Sequence, residues 1–186
     1  DDVAGLFDAS DQVTREDFGH LGRRVLGHSR LTSLSWAPRV RAAGGDRFPI
    51  AYHVSPGRAR GPIGIDEGAG AVARTAIEAA IAQGSTVMTP PVRLLESGAR
   101  SILAFQPVYR GGGTPASAAA RRERLAGVVV GAVGMDELRA RAEAVVAPGL
   151  PHVVRDGDVA IASPPGPVPT HGARMDIPVM GRTWPV

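Results

Sequence analysis

The chain has 186 residues, of which 44% are hydrophobic, which is enough for one core of ordinary size or for a core plus a small second domain. It contains no cysteine, which excludes disulfides and thiolate metal sites. The 21 basic residues are all arginine and are scattered among 18 acids, and aromatic residues make up only 4% of the chain. This pattern lacks the basic, aromatic patches of nucleic-acid-binding proteins. The sequence contains no run of about 18 consecutive apolar residues, so it predicts no membrane-spanning helix.

Two helices are predicted at the start of the chain. Apolar residues recur at three- and four-residue steps from Val3 to Val13, which predicts a helix that begins before Asp1. Thr14 and Asp17 have the spacing of a capping box, so a second helix is expected to run through Phe18 to Leu26 and to end near Gly27.

Alternation of apolar and small polar residues predicts a half-buried strand over residues 31–40, and the short apolar segment 49–54 predicts another strand. The Gly-rich, charged segment 41–48 and residues 55–61 are expected to be loops. Residues 62–66 are expected to form a strand that leads into an alanine-rich helix ending at Gln83, with Gly84 as its left-handed terminus.

Further strands are predicted over residues 85–89, 92–95 and 100–109, followed by a Gly/Ala/Ser/Pro loop over 111–120. Residues 127–133 form an apolar run bounded by glycine, which indicates a buried central strand. Asp136 is expected to cap a helix that ends before Pro148. Asp156-Gly157 then predicts a β-hairpin, and two short strands are expected around Gly181.

The sequence offers no recognisable catalytic or metal-binding arrangement. The five histidines lack metal-ligand spacing, no nucleophile elbow is present, and the acids form no recognisable pair, so neither a metal, a cofactor nor catalysis is expected. Residues 68–73 match the dinucleotide pattern G-x-G-x-x-A, but Asp66 and Glu67 would repel a phosphate beside them. Arg93 and Arg100 flank a turn, either as a solvated ion-pair cluster or as an anion clamp at the mouth of a pocket.

Five stretches in series resemble the signatures of a CHASE domain, in that family's order and spacing. They are residues 36–40 (WAPRV), 64–66 (GID), 87–96 (VMTPPVRLLE), 103–110 (LAFQPVYR) and 127–138. The likeness covers residues 14–147 well. CHASE domains are extracytoplasmic sensor modules that lie between two membrane helices of histidine kinases, diguanylate cyclases and related receptors.

The resemblance implies an α+β fold with a long N-terminal helix and two PAS-like antiparallel-sheet domains joined by a helix. The expected division is the end of the long helix at 1–17, a larger membrane-distal domain at 18–134, a connecting helix at 135–147 and a smaller membrane-proximal domain at 148–186. It also implies that membrane helices lie outside this chain. We expect the domain to form a homodimer through its N-terminal helix.

The resemblance also implies a ligand site. In the similar plant cytokinin receptors the distal domain encloses an adenine-type ligand, and the matching positions here are Asp66 as hydrogen-bond acceptor, Met88 as an apolar wall, Ser97 as a hydroxyl and Phe105 as a ring. The turn before Ser97 is one residue shorter than in the plant receptors. Asp66 has an alternative role as a helix cap, and the two roles are compatible. Trp36 and Tyr52 are further candidate ligand contacts, with packing in the core as their alternative.

Together these observations favour a non-catalytic, ligand-binding sensor module of a membrane receptor. Its expected ligand is a small molecule that brings an N–H donor to Asp66, either adenine-like or of another kind. The alternatives are a ligand-free dimerising spacer with a filled distal domain, and a dinucleotide-dependent enzyme.

Overall fold

A six-stranded antiparallel sheet is the centre of the computed structural model. The structure describes residues 13–29, 31–57, 61–94, 97–138, 140, 153–156, 159–162, 176–179 and 182–185. The sheet strands are β1 (Ser33–Pro38), β4 (Tyr52–Val54), β5 (Val87–Met88), β6 (Val92–Arg93), β7 (Arg100–Tyr109) and β8 (Leu125–Gly134). They lie in the order β4-β1-β8-β7-β5, and β6 also pairs with β7. An antiparallel α+β architecture is therefore confirmed, whereas the helix predicted before Val13 lies outside the described residues.

Helix α1 (Arg15–His28) packs on one face of the sheet. It begins at the predicted capping box, in which the Thr14 hydroxyl accepts from the backbone N–H of Asp17 and the Asp17 carboxylate accepts from the backbone N–H of Thr14. Hydrogen bonds from the side chain and backbone of Thr14 lower the pKa of Asp17. The buried residues on this face of the sheet are Phe18, Leu34, Trp36, Val108 and Val129.

Helix α2 (Ala71–Gln83) covers the opposite face through the buried residues Ala76, Ile77, Ala80 and Ile81. It ends at Gly84, whose φ of 71° confirms the predicted left-handed terminus. The buried residues here include Phe48, Ile50, Phe105, Leu125, Val128 and Val130. Because both faces of the sheet are covered, β1 is buried on both sides and is not the half-buried strand expected from its alternation.

Three local predictions are wrong. Residues 41–48 were expected to be a loop but contain a hairpin of β2 (Val40–Ala42) and β3 (Gly45–Arg47), in which Gly45 has a φ of 112° that permits the tight turn. Residues 62–66 do not form a strand: Asp66 makes a single bridge to Pro49, and Gly64, with a φ of 84°, turns the chain. Helix α3 (Ala118–Arg124), capped by Ser117, begins inside the expected loop.

The C-terminal segment contains two short hairpins, as the sequence predicts. Strand β9 (Val154–Asp156) pairs antiparallel with β10 (Val159–Ala162), with Asp156 opposite Val159. Strand β11 (Asp176–Val179) pairs with β12 (Arg182–Pro185). Residues 135–138 are helical, in agreement with the helix expected after Asp136, whose remainder lies largely outside the described residues.

Gly127 allows β8 to approach β1 closely, and its substitution is expected to destabilise the sheet. A Cβ atom at this position would lie 2.5 Å from the backbone oxygen of Ala37 and 2.6 Å from the Trp36 ring. Gly127→Ala is therefore expected to lower the free energy of unfolding by roughly 1–3 kcal/mol, because backbone atoms cannot move away cheaply. Urea denaturation measures the change.

Gly27→Ala is the matched control, because a Cβ atom there meets nothing within 4 Å. In this variant stability should stay unchanged or rise by up to about 1 kcal/mol, since alanine favours the helix. Equal stabilities of Gly127→Ala and the unchanged protein would show that the contact between β1 and β8 is not tight.

Candidate functional site

A cavity of about 270 Å³ lies between the α2-covered face of the sheet and the segment that leads into α2. The sheet contributes small side chains here, namely Ser33, Ser35 and Ala132, where the neighbouring core is filled by large ones. The remaining lining residues are His53, Pro62, Ile65, Asp66, Glu67, Ala69, Gly70, Val72, Ala73, Val92, Arg93, Leu94, Leu103 and Val130. We call this space the Asp66 cavity. Its lining is mainly apolar with a few polar groups, which is the usual composition of a small-molecule site.

Asp66 is held in a fixed position by the backbone. Its Oδ1 accepts hydrogen bonds from the backbone N–H of Phe48 at 2.8 Å and of Gly68 at 3.0 Å. It thereby caps a short 3₁₀ helix (Glu67–Ala69), so the predicted capping role is confirmed, although the helix is not α2 itself. Among the described residues no hydrogen bond to Oδ2 is found, which leaves that oxygen able to accept from a ligand.

The segment that carries Asp66 is tied to residues 48–50 by main-chain hydrogen bonds. Ile50 N–H donates to the oxygen of Ile65, and Gly64 N–H donates to the oxygen of Ile50. Glu67 N–H donates to the oxygen of Phe48 at 3.0 Å. The Asp66 carboxylate is therefore preorganised on a braced loop, which reduces the entropy lost when a ligand binds.

Besides Asp66, the polar residues of the lining are Ser33, Ser35, His53, Glu67 and Arg93. Ser35 Oγ lies 2.9 Å from His53 Nδ1, and both residues come from adjacent strands of the sheet. Arg93 is exposed and donates from Nη1 to the oxygen of Gly98 at 3.2 Å, which agrees with a position at the cavity mouth. Arg100 pairs with Arg93 across β6 and β7 but does not line the cavity.

The N-terminus of α2 also meets the cavity. Its N-cap residue, Gly70, has no side chain that could accept a hydrogen bond from the first turn. Gly70, Val72 and Ala73 are all lining residues. The free N–H groups and the helix dipole therefore add partial positive charge on this side of the cavity.

Of the six predicted ligand contacts, Asp66 lines the cavity and the other five lie elsewhere. Met88 packs against Ile102 and Met135. Ser97 is exposed and its hydroxyl accepts from the backbone N–H of Ala99. The assignment of both to the ligand site stays a prediction.

The three aromatic candidates lie in packed surroundings. Phe105 is 0% exposed and belongs to the core beneath α2. Trp36 and Tyr52 lie on the α1-covered face, opposite to the cavity. Their role as ligand contacts likewise stays a prediction.

Sequence reasoning missed Ser35, His53, Leu103, Val130 and Ala132 as cavity residues. One signal was available, because Ser33 and Ser35 alternate with Leu34 and Trp36 in a buried strand. Polar residues on a face that proves to be buried often mark a cavity or a hydrogen-bonded site. The contributions of β7 and β8 depend on long-range strand pairing, which a single sequence does not reveal.

The dinucleotide motif at residues 68–73 has an unsuitable context. Its glycines lie in the 3₁₀ helix and at the N-cap of α2, and a loop precedes them where the motif needs a strand. All strand pairs described for this chain are antiparallel, whereas a dinucleotide fold needs parallel strands joined by the helix.

Within the described residues no cluster of His, Asp or Glu is arranged to hold a metal ion. No helix among them is long and apolar enough to cross a membrane.

The family model of the CHASE domain matches residues 45–160. The chain belongs to the CHASE-domain family. This confirms the resemblance seen in the sequence. CHASE domains are non-enzymatic, extracytoplasmic sensor domains, so membership supports an extracytoplasmic sensor module.

Two solved ligand-binding domains have a fold similar to that of this CHASE domain. The ligand-binding domain of the Pseudomonas aeruginosa PAO1 amino acid chemoreceptor PctC, in complex with GABA, superposes with a TM-score of 0.58 at 19% identity, over 98% of this chain and 83% of that one. The ligand-binding domain of Mlp24 with asparagine gives a TM-score of 0.52 at 11% identity, over 98% and 72%. A search of curated protein sequences gave no match.

Proposed function

We propose that this CHASE domain is the ligand-binding module of a membrane receptor and that it binds a small amine or amino-acid-like zwitterion in the Asp66 cavity. The observation that carries the proposal is a cavity of about 270 Å³ beside a carboxylate whose Oδ1 is fixed by two backbone N–H groups. A partly buried carboxylate is a strong acceptor for an ammonium group, and that pairing selects against ligands that lack a donor.

The charges around the cavity favour a ligand with two ends of opposite charge. Asp66 and Glu67 are acidic lining residues that suit an ammonium group. Arg93 and the N-terminus of α2, which has no side-chain cap, are positive groups of the same lining that suit a carboxylate. Leu103, Val130 and Ala132 are apolar lining residues that suit the carbon chain of such a ligand.

The size of the cavity restricts the ligand further. Sites for drug-sized ligands span about 300–1,000 Å³, so a volume of about 270 Å³ is just below that range. An amino acid or a nucleobase is compatible with such a volume. GABA and asparagine, which are bound to the two similar ligand-binding domains, both carry an ammonium and a carboxylate group.

An adenine-type ligand is the second class that the site chemistry allows. Its ring N–H and amino group would donate to Asp66 without a positive charge, as the likeness to plant cytokinin receptors implies. Isothermal titration of the 186-residue chain with the proteinogenic amino acids, GABA, simple amines and adenine derivatives separates the two classes. We expect saturable binding of a zwitterion. Binding of adenines alone would overturn the zwitterion proposal, and binding of no compound would favour the ligand-free spacer.

The spacer hypothesis predicts that the distal domain has no cavity beside Asp66, and the open Asp66 cavity speaks against it. The remaining architecture is part of our proposal: two PAS-like domains, at 18–134 and 148–186, joined by a helix at 135–147. The proposed parent is a histidine kinase or diguanylate cyclase that dimerises through the helix before Thr14. Light scattering of the isolated chain tests the dimer, and a monomer at all concentrations would oppose it.

A further inference from the structure

A second and larger cavity, of about 690 Å³, lies on the opposite face of the sheet between α1 and the edge strand β4. Its lining residues are Arg15, Phe18, Gly19, Arg23, Leu26 and Gly27 of α1, together with residues 52–57. We call it the α1 groove. Strand β4 lies between it and the Asp66 cavity, and His53 of this strand lines both. Tyr52 and Val54 pack on the α1 side, whereas the His53 ring meets Ser35 on the other side.

Glycines on one face of α1 leave space for the groove, because they have no side chains. Gly22 seats the helix closely on β4, since a Cβ atom there would lie 3.0 Å from the Val54 side chain. Towards the end of the helix, a Cβ atom at Gly27 would meet nothing within 4 Å. The helix therefore contacts the strand at its centre, and the groove is open beside Gly27.

The charge of the groove has one sign. Among its described lining residues Arg15 and Arg23 carry charge and none is acidic. Neither arginine forms an ion pair within the part of the chain that the structure describes. The Arg15 guanidinium lies 5.6 Å from the centre of the Tyr52 ring, and this cation–π contact holds it beside the groove.

The rest of the lining combines apolar and aromatic side chains with the polar residues His53 and Ser55. Phe18 and Tyr52 stand with their ring centres 5.9 Å apart, and Leu26 and Val54 belong to the same apolar cluster. Eight residues separate the two arginines, which corresponds to about 12 Å along the helix. The groove thus combines a long apolar wall with guanidinium groups at two points of its rim.

We propose that the α1 groove is a second ligand site, which takes an amphipathic organic anion whose carboxylate or sulfonate pairs with Arg15 or Arg23. Its apolar or aromatic body lies against Phe18, Tyr52 and Leu26. Arginine suits this role because its planar guanidinium binds an acid group through two parallel hydrogen bonds. Such a ligand links α1 to β4 and leaves the Asp66 cavity free.

The test uses 8-anilinonaphthalene-1-sulfonate, an aromatic anion that fluoresces in apolar sites, and N-phenyl-1-naphthylamine, which has the same ring system without the sulfonate. We expect saturable binding of the anion at one site, with affinity falling as salt rises. The neutral amine should bind at least 10-fold more weakly. Equal affinities for the two probes would overturn the proposal.

Three variants test whether the probe binds in the α1 groove. The double variant Arg15→Gln/Arg23→Gln should weaken binding of the anion at least 10-fold. Gly27→Leu should block binding of the anion, because leucine fills open space there without a clash. Asp66→Asn should leave binding of the anion unchanged. Circular dichroism confirms that each variant is folded. Loss of the probe in Asp66→Asn, or undiminished binding in the two groove variants, would contradict the assignment.

Discussion

Replacing Asp66 with asparagine is expected to weaken binding of an ammonium ligand by about 100-fold while the domain keeps its fold. The amide oxygen of asparagine can still accept from the N–H groups of Phe48 and Gly68, which hold the loop in place. The negative charge that pairs with the ligand is lost, and a factor of 100 corresponds to about 2.7 kcal/mol. Isothermal titration gives the affinity, and thermal denaturation gives the stability.

Asp66→Ala removes both functions of the carboxylate, which are capping of the loop and pairing with the ligand, whereas Asp66→Asn removes only the charge. The alanine variant removes the acceptor as well as the charge, so two backbone N–H groups lose their partner, at a cost of about 1–3 kcal/mol for each group that stays buried. Glu78→Gln is the matched control, because Glu78 is an exposed acid on the far part of α2. We expect this control to bind like the unchanged protein. An Asp66→Asn variant with undiminished affinity would exclude Asp66 as the ligand acceptor.

Phe105→Ala is expected to lower the free energy of unfolding by about 3–5 kcal/mol. The ring is 0% exposed, and its backbone lies opposite Val87 on one side and Val130 on the other. Its removal leaves a cavity that the well-braced central strands cannot close. Urea denaturation measures the loss, and Val40→Ala, at a side chain that is 45% exposed, should change stability by less than about 0.5 kcal/mol.

The milder Phe105→Leu variant distinguishes a core residue from a ligand wall. It keeps an apolar side chain and leaves the domain folded. Because Phe105 does not line the Asp66 cavity, we expect the variant to bind ligand within a factor of two of the unchanged protein. A 10-fold loss of affinity at unchanged stability would instead favour the ligand role that the family resemblance implies.

The elements that could be predicted from the sequence are those with strong local signals. The Thr14 capping box and the left-handed Gly84 mark helix ends through interactions within a few residues. Strands β7 and β8 are long and apolar because they lie in the middle of the sheet. The antiparallel pairing of β9 with β10 agrees with the turn signal of Asp156-Gly157 in the sequence.

The missed elements are short or exposed. The β2–β3 hairpin is rich in glycine and charge, a composition that also suits a loop. Helix α3 lies within a low-complexity stretch, although its Ser117 cap was a usable signal. The segment before Asp66 alternates like a strand, yet Gly64 turns it back on residue 50.

For the candidate site, the sequence predicted the capping role of Asp66, which it performs at its chain neighbour Gly68. The role of Asp66 as a ligand contact comes from the family resemblance and stays a prediction. The rest of the cavity is assembled from β1, β4, β7 and β8, whose side chains meet only through pairing between distant residues. Period-two alternation places Leu103 and Phe105 on one face of β7. It does not tell which of them meets the cavity and which meets the core beneath α2.

A crystal structure of the chain with the tightest-binding compound from the titration tests the central claim most directly. We predict that the ligand occupies the Asp66 cavity, with its ammonium nitrogen about 3 Å from Asp66 Oδ2 and its carbon chain against Leu103 and Val130. Ligand bound elsewhere, with the Asp66 cavity empty or closed by side chains, would contradict it.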